Sequence, residues 1–226
     1  MNKHPTAGSH GHSHSGFSLI EMIGLLAIIA VLAAVITPRV LSALESSKIS
    51  ATADMIGRAR NAVTEFAGRY GKLPVTSANS RIDDLLMCAG YLDQRFTVRI
   101  GAQPPTPPIM GATWTYANSV WAAAGGASQD SQARIICVAS NASVPSAAAG
   151  GNYRLDGESN LPSGVTLISA VIPNVTCTQA KALSVAIDGD SLSAATNAVG
   201  DDAGKVAYAA PDRAGLTTVY IYLAQQ

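Results

Sequence analysis

Histidine is missing from almost all of this chain of 226 residues. Its four histidines stand at positions 4, 10, 12 and 14, so nothing beyond them can supply the base of a Ser-His-Asp or Cys-His arrangement. Cys-x-x-Cys pairs and mixed His/Cys clusters that would suggest zinc are absent. The glycine-rich stretches lack the Gly-Lys-Ser/Thr ending of a phosphate-binding loop. These absences predict a protein that is not an enzyme.

An excess of charge of either sign is also missing. The chain has 15 Lys and Arg residues against 15 Asp and Glu residues, which gives a formal net charge of zero. No basic cluster stands out. Neither nucleic acid nor an acidic membrane surface is therefore a predicted target.

What the chain does have is one long apolar run, at 17–36, in which Glu21 is the one charged residue. A helix of this length covers about 30 Å, the thickness of a bilayer's hydrocarbon core. A secretory signal ends at a small-residue cleavage site after its apolar region. Here Gly16 precedes the run instead, so a cut after Gly16 would remove the polar leader and keep the hydrophobic helix.

At this junction the sequence reads Gly16-Phe17-Ser18-Leu19-Ile20-Glu21, followed by Met22-Ile23 and the aliphatic stretch. These residues resemble the N-terminus of type IV pilins and type II secretion pseudopilins, and the resemblance covers roughly 16–70. It implies that a prepilin peptidase cuts after Gly16 and methylates Phe17, and that Glu21 acts in assembly. It also implies partners: identical or related pilin subunits and an inner-membrane assembly platform with a separate ATPase.

Glu21 needs a partner if it enters a membrane, because a carboxylate there is unfavourable by about 2.5–3.5 kcal/mol. Cleavage would create a cation, the new amine of Phe17, which an incoming subunit can present to a neighbour's Glu21. Neutralisation in a low dielectric would favour one axial register between subunits. The alternative is a glutamate that snorkels at the end of a simple anchor.

The histidines of the leader suggest a second interpretation, a metal site, because imidazole is a good ligand. All four would leave with the leader on processing. A soluble cytoplasmic leader, with Lys3 supporting retention on that side, is favoured instead.

Beyond the apolar run the helix is predicted to kink and then to continue. Pro38 lacks an amide donor and crowds the carbonyl four residues earlier. From 49 to 70, apolar residues recur every three or four positions, which predicts one buried helix face. A short coiled-coil seam would give the same stripe, but packing on the protein's own sheet is favoured. The stripe consists of Ile49, Thr52, Ile56, Ala59, Val63, Phe66 and Tyr70.

The remainder is predicted to be a β-rich head, with a short helix at 82–92 and Ser80 as its candidate cap. Apolar segments between Gly, Ser, Asn and Asp clusters predict a meander-like antiparallel sheet. Its strands are expected at 134–139, 164–172, 182–187, 205–209 and 217–224. In the last strand Val219, Ile221 and Leu223 share one face, as in an interior strand packed on a helix.

The predicted fold class is therefore α+β and pilin-like. A long N-terminal helix, half transmembrane and half amphipathic, packs on a C-terminal antiparallel β-sheet. The expected divisions are a leader at 1–16, a transmembrane and assembly helix at 17–37, an amphipathic helix at 38–70 and the head at 71–226.

Three cysteines are an odd number, so at most two can pair within one chain. An envelope location permits a disulfide. A Cys137–Cys177 bond is the prediction, with a stabilisation of roughly 4 kcal/mol in the chain-entropy model. Cys88 is then expected to be a buried thiol, and a fully reduced chain is the alternative.

The same cysteines bear on subtype. Many type IV pilins resemble one another in a cysteine-bounded C-terminal loop, whereas Cys177 lies 49 residues before the terminus here. This departure disfavours a major pilin and leaves a pseudopilin and a divergent minor pilin as open alternatives.

Four aspartates near the C-terminus are weak calcium candidates, since carboxylates are hard oxygen ligands. They are Asp188, Asp190, Asp201 and Asp202. Some pseudopilins bind calcium in a C-terminal loop, but EF-hand spacing is absent, and turns rich in aspartate are more often solvated loops. No other cofactor is predicted.

The resulting hypothesis is a subunit of a type IV pilus-like or type II secretion pseudopilus filament. Before assembly it would cross the bacterial inner membrane once with a periplasmic head, and afterwards lie in a periplasmic or cell-surface filament. The alternative is a monomeric, membrane-anchored envelope binding protein exported by the same route.

Overall fold

The computed structural model describes residues 18–76, 80–101, 112–124, 132–140, 151–194, 196 and 199–226. The chain divides into two compact units, Met1–Leu44 and Glu45–Gln226. The helices are α1 (Leu19–Tyr70), α2 (Asp83–Cys88) and α3 (Cys177–Asp188), the last followed by a 3₁₀ turn at Asp190–Leu192. The strands are β1 (Trp114–Ala117), β2 (Val120–Ala123), β3 (Arg134–Ala139), β4 (Thr166–Thr176), β5 (Val206–Tyr208) and β6 (Leu216–Gln225).

Four strands form an antiparallel sheet in the order β3-β4-β6-β5. The longest two strands, β4 and β6, lie side by side at its centre, with Val171 opposite Tyr220. The chain leaves β4 through α3, forms β5 at the far edge, and returns to the centre as β6. The sheet is therefore antiparallel as predicted, but it is not a simple meander, because β5 does not lie between β4 and β6.

Strand β6 shows why this sheet is covered on both faces. Val219, Ile221 and Leu223 are buried in the main hydrophobic core together with side chains of α1. Tyr220 and Tyr222 point to the other face, where they pack on a smaller cluster built around Tyr153. The alternation has period two, as a pleated strand requires, and confirms the interior strand predicted from sequence.

The amphipathic stripe of α1 is also confirmed. Five residues of the predicted stripe lie in the same core as the sheet, and Ala62 joins them: Ile49, Ile56, Ala59, Val63 and Phe66. Thr52 is also buried, and Tyr70 is partly buried against this core. Arg60 Nη2 adds a polar tie, donating to the Tyr222 carbonyl at 3.1 Å. The stripe thus packs on the protein's own sheet, as the α+β fold class required, and is not free to form a coiled-coil seam.

The strand predicted at 182–187 is wrong, because these residues lie in α3. Thr176 caps this helix by accepting a hydrogen bond from the Gln179 amide, and Gly189 ends it with a φ of 81°. Ala180, Leu183 and Ser184 are buried at the three- and four-residue spacing of a helix face. An apolar segment of six residues fits either structure, and the Thr176 cap was the signal that decides between them.

One other local prediction, the short helix at 82–92 with Ser80 as its cap, is corrected, and one hairpin was missed. Helix α2 is shorter than expected, and its N-cap is Ile82, which provides no side-chain cap. The hairpin β1-β2 was not predicted at all. Its turn residues Asn118 and Ser119 have φ values of 51° and 63°, the left-handed pair that a two-residue turn needs.

Replacing Phe66 by alanine tests the packing of α1 on the sheet. The Phe66 side chain is fully buried, and its ring centre lies 5.1 Å from that of Tyr70 and 6.0 Å from that of Tyr91. Removing a buried ring costs about 3–5 kcal/mol, so the free energy of unfolding should fall by that amount. The measurement is equilibrium unfolding of the full chain in detergent.

Glu65→Ala is the matched control for this substitution, since Glu65 is the exposed neighbour on the same helix. It should change the free energy of unfolding by less than about 0.5 kcal/mol. Equal effects of the two substitutions would contradict the packing described here.

Candidate functional site

The first half of α1 is an apolar surface without cover. Every residue from Leu19 to Leu44 is exposed; Leu19 and Ile20 are 77% exposed, and Leu44 is 52% exposed. Among the described residues, this is the one helix long and apolar enough to cross a membrane, and it lies near the N-terminus. An exposed apolar area of this size marks contact with lipid or with another protein.

Two charged side chains, Glu21 and Arg39, interrupt this surface near its two ends. Glu21 lies exposed in the first helical turn, where the free amides of the helix end favour a carboxylate. The amides of Glu21 and Met22 both donate to the Ser18 carbonyl, at 3.0 and 3.1 Å. The predicted cleavage residue Gly16 and the predicted methylation site Phe17 lie outside the described residues.

Helix α1 continues through Pro38. The missing proline amide leaves the Ala34 carbonyl without its usual donor. On either side, Thr37 Oγ1 donates to the Ala33 carbonyl at 2.7 Å and Ser42 Oγ donates to the Pro38 carbonyl at 3.0 Å. Such bonds from a hydroxyl to the preceding turn bend helices. The predicted kink stays a prediction with a local mechanism, whereas the helix itself does not end here.

The disulfide predicted between Cys137 and Cys177 is not formed; all three cysteines are free thiols. Cys137 lies opposite Ile168 in the pairing of β3 with β4, whereas Cys177 follows the last residue of β4. Ile168 and Cys177 are nine positions apart along the chain of β4, which corresponds to roughly 30 Å in a regular strand. A disulfide needs Cα atoms about 4.4–6.8 Å apart, so the two cysteines are too distant.

The surroundings of the thiols also differ from expectation. Cys88 is exposed and not buried. Cys137 is buried against the end of the chain, with its Sγ 3.8 Å from the Gln226 Nε2 atom. Burial raises the pKa of the Cys137 thiol to about 12. Cys137 should therefore be an inert core residue and Cys88 the accessible thiol.

Alkylation of the native protein tests this assignment. Iodoacetamide at neutral pH should label Cys88 first, because the thiolate is the reacting form and Cys137 is both buried and held protonated. Peptide mass spectrometry gives the order of labelling, and denatured protein provides the control in which all three react. A Cys137–Cys177 peptide in unreduced protein would contradict the structure.

The four calcium candidates do not form one site. Asp188 accepts the amides of Lys205 and Val206 at 2.8–3.0 Å. Asp202 pairs with Arg154 at 3.0 Å, while Asp190 lies exposed in the 3₁₀ turn.

Asp201 is held in the same way, by its own set of donors. Its carboxylate accepts Ser184 Oγ at 2.8 Å and the amides of Ala194 and Ala203 at 3.1 and 3.2 Å. No group of three or more His, Cys, Asp or Glu side chains in the described ranges is placed to hold a metal ion. Through these hydrogen bonds, Asp188 and Asp201 instead join α3 to the loop before β5.

Burial shifts the pKa of both the Asp188 and the Asp201 carboxyl group. Desolvation raises the pKa of Asp188 and of Asp201 above the ordinary aspartate value, and their hydrogen bonds from backbone amides and Ser184 oppose it. Neighbouring acids add to the rise, since Asp201 raises the pKa of Asp188 and Asp202 raises that of Asp201.

Replacing Asp188 by asparagine should therefore change the pH dependence of stability. A raised pKa means that the folded chain holds the Asp188 proton more tightly than the unfolded chain, so wild-type stability increases as pH falls through the folded pKa. Asparagine does not titrate. Unfolding in denaturant at neutral pH and at about pH 4.5 should show wild type gaining stability relative to Asp188→Asn at the lower pH. A constant or reversed difference would contradict this assignment.

Sequence reasoning missed two ion pairs around α2, one fully buried and one partly buried. Arg81 and Asp83 are 1% and 0% exposed and lie 2.7 Å apart, and Asp84 meets Arg95 at 2.8 Å. Arg81 also donates to the Ala133 carbonyl at 3.0 Å. Desolvation raises the pKa of Asp83, while the adjacent Arg81 lowers it. These contacts tie α2 to β3 and to the segment before Ile100, and nothing in the scattered charges of the sequence predicted them.

One open groove in the head lies between α1 and α3, and we call it the α1–α3 groove. Its volume is about 580 Å³. Apolar side chains form part of it, and hydroxyl, amide and carboxylate groups complete its wall. Its lining residues are Glu45, Ser46, Ile49, Ser50, Thr176, Thr178, Gln179 and Ala182.

Comparison of this chain with protein-family models, with curated proteins and with solved structures finds no match.

Proposed function

We propose that this protein is a structural subunit of a type IV pilus-like or type II secretion pseudopilus filament. The observation that carries the proposal is the exposed apolar half of α1, in a helix whose other half is buried in the core of the head. Lipid would cover the apolar half before assembly, and the equivalent helices of other subunits would cover it afterwards.

Processing makes the helix available for assembly. In the proposal a prepilin peptidase cuts after Gly16 and methylates Phe17, which leaves the apolar helix at the mature N-terminus. The resemblance of residues 16–23 to prepilins supports this step. The position of Glu21 in the first turn of α1 supports the next step, because Glu21 is only four positions along the sequence from the new amine at Phe17.

Assembly then depends on charge neutralisation. The Phe17 amine of an incoming subunit pairs with Glu21 of its neighbour, and both charges leave water only when they meet. Subunits that are out of register would bury an unpaired charge, which is far more costly than the pair itself. The pair therefore selects one axial offset between identical or related subunits.

The location and partners follow from this mechanism. The subunit would wait in the bacterial inner membrane as a single-pass protein with a periplasmic head, and then join a periplasmic or cell-surface filament. A separate ATPase, acting through an inner-membrane platform, would supply the energy for extraction from lipid. The subunit itself would be no enzyme and would bind no nucleic acid.

Separate changes of Gly16 and Glu21 test the proposal. Gly16→Leu should leave the leader attached, because the bulky side chain replaces the residue before the cut, and the N-terminal mass would show it. Glu21→Gln should be processed normally but reduce filament recovery by about tenfold or more, since the amine then lacks a charged partner. Glu65→Gln, an exposed change in the head, is the control.

The two outcomes separate the filament subunit from a monomeric anchored binding protein. A monomer would be indifferent to Glu21→Gln once it had reached the membrane. Normal processing of Gly16→Leu together with normal assembly of Glu21→Gln would overturn the proposal.

A further inference from the structure

We propose that the α1–α3 groove receives the Arg39 segment of α1 from a second copy of this chain, and that Arg39 of that copy pairs with Glu45 at the rim of the groove. The inference rests on the proposed function, since it requires copies that associate through α1. It adds a second charge pair to the one formed by Phe17 and Glu21.

The Glu45 carboxylate lies at the rim of the groove, where it can bind a cation. Glu45 is half exposed, and its carboxylate is held by Lys48 Nζ at 2.9 Å and by Gln179 Nε2 at 3.0 Å. The Gln179 contact joins α1 to α3 and the Lys48 contact lies within α1, and together they fix the direction of the carboxylate. Its oxygens can accept further hydrogen bonds, including those of a planar guanidinium.

Arg39 is available to form this ion pair with another copy. It makes no ion pair with any residue that the structure describes, and it is the one cation in the apolar half of α1. A guanidinium at the end of an apolar helix surface is poorly placed in lipid and gains from a carboxylate. Its charge complements that of Glu45.

Apolar side chains beside Arg39 match the floor of the groove. Val40 and Leu44 lie four residues apart on one face of α1 and are 48% and 52% exposed. The groove offers Ile49 and Ala182 as apolar surface and has room for several aliphatic side chains. The second copy would place Val40 and Leu44 in the groove with Arg39 at its edge.

The axial offset of the two charge pairs agrees. An Arg39–Glu45 pair joins positions six residues apart along α1, so the copies would be displaced by about 9 Å. A Phe17–Glu21 pair joins positions four residues apart in the sequence and displaces the same copy in the same direction. The two offsets differ by two positions, which the long arginine and glutamate side chains can span, so one register satisfies both pairs.

Charge reversal tests the pair in the full chain. Arg39→Glu and Glu45→Arg should each lower filament recovery by about fivefold, because each replaces attraction by repulsion. The double variant, Arg39→Glu with Glu45→Arg, should recover most of the loss. Glu65→Arg is the matched control on an exposed part of α1 away from the groove, and it should leave recovery unchanged.

Cross-linking tests the groove independently of charge. In a Cys88→Ser background, Val40→Cys with Thr178→Cys should form a ladder of covalent multimers in isolated filaments when a thiol cross-linker is added. Val40→Cys with Asn61→Cys is the control, since Asn61 is exposed outside the groove. It should give no ladder.

The outcomes distinguish this inference from the proposed function. If wild type forms no filaments, both are overturned. If wild-type filaments form and Glu21→Gln abolishes them, but the charge reversals have no effect or the double variant is no better than the single ones, this inference alone is overturned. A ladder with Asn61→Cys and not with Thr178→Cys would place the neighbour elsewhere and overturn it as well.

Discussion

The structure depends on one constraint: no other part of the chain that the structure describes covers the apolar half of α1. Side chains such as Leu32 and Ile36 are more than half exposed, whereas the later turns of the same helix bury Phe66 completely. At roughly 25 cal/mol per Å², uncovered aliphatic surface of this extent is far from stable in water. An exposed apolar surface of this size is typical of a segment that contacts lipid or another protein.

The head holds the second half of α1 in its hydrophobic core. Its central strands pack on the helix through alternating residues, of which Val219 and Ile221 belong to the shared core. The Gln226 side chain also binds the chain just after α1. Its Oε1 accepts a hydrogen bond from the Leu73 amide and its Nε2 donates one to the Leu73 carbonyl, both at 2.9 Å. The second half of α1 is therefore held in the core of the head.

Much of this fold could be predicted from periodicity. The stripe from Ile49 to Phe66 is long enough to fit only the helical period, and the alternation in β6 is long enough to fit only the two-residue period of a strand. Helix α3 was missed because its six most apolar residues are too few to distinguish the two periods. The ion pair of Arg81 with Asp83 was missed because burial, which gives the pair its character, is a property of the folded head. The Cys137–Cys177 bond was wrong for a related reason: sequence spacing does not reveal strand register.

The candidate functional site was likewise only partly predictable from the sequence. Glu21 and the apolar run stand out in the sequence, but the α1–α3 groove exists only because α3 brings Gln179 to Glu45. The most direct test of the central constraint is the accessibility of position 32. Leu32→Cys in a Cys88→Ser background, in intact membranes, should resist a membrane-impermeant maleimide that labels Asn61→Cys in the head. Equal labelling of the two positions would contradict the account.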